Sequence, residues 1–139
     1  MSRVINPNQA GQERGRLMKA IAVALRELTT HETVDDSTRD LAAFISLALR
    51  AIAAGIETSV TAWEKRGYWL KADRFRLDWE WAGRTSTALE TALIEDDWGQ
   101  IAGLCVRIGE KVRGIQVAKH HRLGTPWAGA WRRLRLRDF

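Results

Sequence analysis

Leu17, Ile21, Ala24 and Leu28 recur at steps of four, three and four, the spacing that draws one apolar stripe down a helix, and they predict a first helix over about 11–30. The polar stretch THETVDDS then interrupts the pattern. Ser37 followed three residues on by Asp40 reads as a capping box, the hydroxyl taking an orphan backbone N–H and the carboxylate reaching back. A second helix is therefore expected over 38–65. Its first half, LAAFISLALRAIAAGI (41–56), is apolar almost all round, which makes it the expected most buried element. That run contains Arg50 and is too short to span a bilayer. Lys65-Arg66-Gly67 is the expected stop, since cations suit the negative end of the helix dipole and glycine tolerates a left-handed cap; the alternative is that this single glycine sits inside one continuous helix.

RFRLDWEW (74–81) alternates charged and apolar residues, which over eight positions argues for a strand. A longer window decides differently. Ala72, Phe75, Trp79, Ala82, Ser86, Leu89 and Leu93 step alternately by three and four. Arg74–Asp78, Arg76–Glu80 and Glu80–Arg84 are opposite charges at i, i+4. No other segment offers a strand to pair with, so 69–95 is read as a helix. Leu70, Leu77, Trp81, Ala88 and Ala92 then lie on the flank opposite the first stripe. This helix has two apolar flanks, and the second needs a cover: the C-terminal segment, another subunit or a ligand.

Glu95-Asp96-Asp97 is placed to cap a fourth helix. In it Trp98, Ile101, Cys105, Ile108, Val112 and Ile115 keep the three–four step, and it is expected to end near KHHRLG (119–124). Thr125-Pro126 suits the start of a short helix, Thr as N-cap and Pro in the first turn. The expected architecture is all-α: an up-down-up-down four-helix bundle with an additional short basic C-terminal helix. Residues 1–139 form a single domain in this reading, with 1–10 as a flexible N-terminal arm and 122–139 as a basic C-terminal segment.

Charge sharpens the picture. The net charge is +5, but residues 1–106 carry −2 and residues 107–139 carry +7. Such asymmetry points to an acidic or polyanionic partner at that end, or to a solvated face. Seven tryptophans supply large buried areas to a small core. The single Cys105 excludes an internal disulfide and fits a reducing compartment, and with no visible signal peptide the expected location is the cytoplasm.

The chemistry-bearing residues form no catalytic constellation. Glu-x-x-His, the di-iron signature of helical bundles, is absent, and Glu27 with His31 supplies only two ligands. No phosphate loop is present. Cys105 sits in a heptad core position, where a thiol is an inert small hydrophobe. His120-His121-Arg122-Leu123-Gly124 resembles the phosphotransfer-domain pattern of a His before a basic residue and a Gly within a helix. The stretch lies near a helix end and Arg122 and Gly124 are wrongly spaced, so His120 and His121 are minor candidates, read as a surface pair at a helix C-terminus. Neither a metal, a cofactor nor a catalytic residue is expected.

The candidate partner-binding residues are Leu77 and Trp81 on the second flank, and Trp127, Trp131, Arg132, Arg133, Arg135 and Arg137 in the C-terminal segment. In the first reading Trp127 and Trp131 dock onto Leu77 and Trp81, leaving the arginines outward with their forks of donors. In the second the arginines contact nucleic-acid phosphates and a Trp stacks on a base. A membrane surface is the least favoured of the three, and no membrane association is expected. The function expected is non-enzymatic protein–protein association, as a subunit, adaptor or assembly factor and with self-association into a homodimer among its forms. The alternative is binding to RNA, the ribosome or DNA through the basic C-terminal helix.

Overall fold

A computed structural model describes residues 7–139, in which five helices and no strand occur: α1 (Pro7–Thr29), α2 (Asp36–Lys65), α3 (Trp69–Ile94), α4 (Trp98–Val112) and α5 (Ala130–Leu136). RFRLDWEW lies wholly inside α3, so the long heptad prevails over the short alternation. A helix satisfies its own backbone groups, whereas a strand here would have had no neighbour to bond. The N-terminal arm expected over 1–10 is helical from Pro7 onward, and residues 1–6 lie outside the described residues.

The cap of α2 differs from the expected one. Asp35, not Ser37, accepts the Thr38 N–H at 2.9 Å, and the Asp35 N–H donates to the Thr38 hydroxyl at 3.3 Å. The Thr38 N–H, and then its hydroxyl, hold the Asp35 carboxyl below the ordinary carboxylate range. A carboxylate outcompetes a hydroxyl for the orphan N–H groups, and Asp40 is left for another partner. The stop at Lys65-Arg66-Gly67 is a complete Schellman turn. Gly67 takes φ +81°, its N–H reaches the Glu64 carbonyl at 3.0 Å, and the Tyr68 N–H reaches that of Trp63 at 2.9 Å. α3 ends the same way with Asp96 at φ +55°, and Asp97 then caps α4 through the Gln100 N–H at 3.1 Å.

α4 is shorter than its heptad suggested. It stops at Val112, and residues 113–129 run irregularly, His120 and His121 among them. Gly109 and Gly114 each weaken a helix by about 1 kcal/mol relative to alanine. The segment finds other partners: the Arg26 guanidinium donates to the Ala118 carbonyl at 3.3 Å. α5 also starts later than expected, after turns over 126–129, with Gly129 left-handed at φ +78°.

α2 packs on α1, α3 and α5, while α4 rests on α1 and α3. Twelve α2 residues are buried, more than in any other helix, because a helix apolar all round needs neighbours on every side. Small residues bring α2 and α3 close. Ser46 and Ser86 each donate a hydroxyl to the other's backbone carbonyl, at 2.9 and 2.8 Å. A Cβ placed on Gly83 would stand 3.4 Å from the Ala53 methyl. By length and composition the whole of α2 could cross a membrane, which the 41–56 run alone did not suggest, but half of its most apolar 18-residue window is buried inside the protein.

Candidate functional site

The residues proposed from the sequence do not assemble into one surface. Trp127 and Trp131 do not cover Leu77 and Trp81. The C-terminal segment docks on α2 instead. Trp127 meets Phe44 edge-on, with ring centroids 6.5 Å apart, while Ala130 and Leu134 are buried. The Asp40 carboxylate accepts the Gly129 N–H at 3.2 Å and the Trp131 N–H at 3.0 Å, supplying a negative charge where α5 exposes its orphan donors. The physical reason for the different docking site lies in α2, whose third apolar face needs a cover more than α3 does. Arg137 is left-handed at φ +54° and pairs with Glu90 of α3 at 2.6 Å. Arg132, Arg133 and Arg135 are exposed, and the Arg135 guanidinium sits 5.3 Å from the Trp131 ring centroid. His120 is exposed, and His121 accepts the Leu123 N–H through Nδ1 at 3.2 Å in irregular chain, so neither marks a helix end.

The second flank of α3 splits along its length. Ala92 is buried, and Trp81 is half-buried, stacked at 5.8 Å on Trp79 with the Lys111 ammonium 5.3 Å from its ring centroid. Leu77 is 70% exposed and Leu70 68%. Of the proposed i, i+4 pairs, Glu80–Arg84 forms. Arg76 turns instead to Glu64 at 3.0 Å and to Glu57 and Asp73 at 3.5 Å. The hydrogen bond to Glu64 first, and then the charge of Glu57, raise the Arg76 guanidinium above its ordinary range.

Two concavities stand out. The first is an apolar cleft of about 460 Å³ between α1 and α4. Leu25 and Leu28 of α1 face Ile101 and Cys105 of α4 across it, and exposed Val34 and Val106 stand on its rim. Gly109 admits the Leu25 side chain at 3.6 Å from where its Cβ would be, and Ala102 leaves the α4 wall low. At one end His31 Nδ1 lies 3.3 Å from the Thr38 hydroxyl. Burial pushes the Cys105 thiol up to about 11, so it is protonated at neutral pH and a poor nucleophile.

The second is a shallow depression of about 960 Å³ at the corner where α2 turns into α3. Trp63 and Phe75 pack at 4.9 Å there. The Arg14 guanidinium lies 5.0 Å from the Phe75 ring and 5.3 Å from that of Trp79, and the Lys71 ammonium 4.5 Å from that of Trp63. Tyr68, Trp69 and Leu70 are more than half exposed beside it.

Compared with protein-family models, curated proteins and solved structures, the chain matches none. Its site is read from its own geometry. Among the described residues no three His, Cys, Asp or Glu side chains gather as a metal would require. Sequence reasoning missed Tyr68 and Trp69, although the KRGYWLK string (65–71) at an expected helix junction carried the signal. It could not find the cleft, whose walls come from helices some 75 residues apart in sequence.

Proposed function

We propose that this is a non-enzymatic association protein: an up-down-up-down four-helix bundle, with α5 as a basic appendage, that takes an apolar helix or segment of a protein partner into the cleft between α1 and α4. The simplest partner is a second copy of the chain. The observation that carries the reading is the cleft itself, open, lined by aliphatic side chains and rimmed by exposed Val34 and Val106. A groove between helices is a recurrent receptor for an amphipathic helix, read through anchors spaced at i, i+3, i+4 and i+7. Neutral Cys105 and the scarcity of charge in the cleft suit such an occupant better than a reaction.

In light scattering the wild type should show twice the chain mass of 15.7 kDa. Val106→Glu combined with Ala102→Glu should return it to the monomer with an unchanged far-UV circular dichroism spectrum, since both positions are exposed. A monomeric wild type whose captured partners are the same with and without those charges overturns the reading.

A second reading rests on the outward arginines of α5. Asp40 and Trp127 hold the segment on α2, and Arg132, Arg133 and Arg135 stay exposed for phosphate contacts. If it holds, retention on RNA weakens with salt, and replacing the three with Ala lowers the salt slope by roughly one for each phosphate no longer neutralised. Retention unaffected by the triple variant sinks it.

A further inference from the structure

We infer that the corner between α2 and α3 is a docking surface for an anionic lipid bilayer, with Tyr68, Trp69 and Leu70 entering the headgroup boundary. These three consecutive residues are 54%, 61% and 68% exposed. The Schellman turn at Gly67 places them at one end of the helix pair, where they form an apolar tip along the edge of the open depression that they help to line.

The charges nearest the tip are positive. Lys65, Arg66, Lys71 and Arg74 are exposed and make no ion pair among the described residues. No carboxylate occurs from Lys65 to Ala72. The acids on either side, Glu64 and Asp73, are both engaged by Arg76. Asp78, about two turns further along α3, is the one carboxylate lining the adjoining depression.

An apolar tip ringed by cations matches the layering of an anionic membrane. Trp and Tyr favour the interface, aliphatic groups sink below it, and Lys and Arg meet the phosphates. The aliphatic residues argue against nucleic acid. Leu70 stands exposed on the flank that Leu77 continues, about 10 Å higher at 1.5 Å per residue, and a base would stack on the rings but leave both leucines in water. Four exposed cations without an ion-pair partner, set around three exposed interfacial side chains, suit an anionic bilayer better than a protein partner.

The test is cosedimentation of the full chain with vesicles of phosphatidylcholine mixed with phosphatidylglycerol, and with vesicles of phosphatidylcholine alone. Binding is expected to the mixed vesicles only, and to fall as salt is raised. Lys71→Glu with Arg74→Glu should weaken it by more than the roughly fivefold that each missing cation costs. Trp69→Ala with Leu70→Ala should weaken it by about tenfold or more. Both pairs are exposed, and circular dichroism checks their folding. Arg132, Arg133 and Arg135 replaced together by Ala should leave vesicle binding in place.

No binding to mixed vesicles, equal binding to neutral ones, or binding that survives both corner variants overturns the inference. So does loss with the α5 variant alone, or a corner that retains single-stranded RNA and no vesicle. The Val106→Glu, Ala102→Glu variant should still bind vesicles, which keeps this outcome separate from that of the cleft.

Discussion

Leu89→Ala is expected to lower the unfolding free energy by about 2–5 kcal/mol, whereas Leu77→Ala on the same helix should change it by no more than about 0.5 kcal/mol. The chemistry of the two substitutions is identical, and both leucines belong to apolar stripes of α3. Leu89 is fully buried among the core side chains, three residues past Ser86, whose hydroxyl bonds across to α2. Its truncation leaves a cavity that the Ser46–Ser86 pair and the close approach at Gly83 allow little room to collapse. Leu77 is 70% exposed, and little packs against it. Urea unfolding followed by circular dichroism measures both. Equal costs at the two positions would mean that the second flank of α3 is covered as fully as the first.

Asp40→Ala is expected to release the C-terminal segment while the rest of the fold persists. The Asp40 carboxylate is the acceptor for two backbone donors at the start of α5, Gly129 and Trp131. Each hydrogen bond to a charged group is worth about 1.5–3 kcal/mol, so losing both corresponds to opening of the segment that is roughly a hundredfold more frequent, or above. The exposed Arg113, Lys119 and Arg122 of the irregular stretch offer cleavage sites, so trypsin should cut there faster and the amide of Trp131 should exchange faster. Asp40→Asn keeps one acceptor oxygen and should fall between. Unchanged cleavage and exchange would show that Ala130, Leu134 and the Phe44–Trp127 pair hold the segment unaided.

These two residues also mark how far the sequence could be read. Asp40 stands three residues after Ser37, and the spacing makes it look like a local capping partner. The local work is done by Asp35 and Thr38, and Asp40 serves a helix some 90 residues away. Capping boxes are visible in sequence because their partners are neighbours. A carboxylate reaching across the fold leaves no such trace. α4 shows the same limit. Its three–four stripe runs on to Ile115, but the backbone leaves the helix at Val112, where glycines and the strap held by Arg26 offer another course.

By itself the sequence determined that the regular structure of the described residues is helical, with no strand. It also offered a break at Gly67 beside the alternative of a continuous helix, placed the start of α4 after Asp97, and marked the apolar stripes without saying which would be covered, because periodicity and caps act within a few residues. Only the tertiary structure decided what covers what. Both flanks of α3 look alike along the chain, yet burial depends on which neighbour arrives. α2, apolar on every side, offered the C-terminal helix more surface than α3 could, and so the flank at Leu70 and Leu77 was left open.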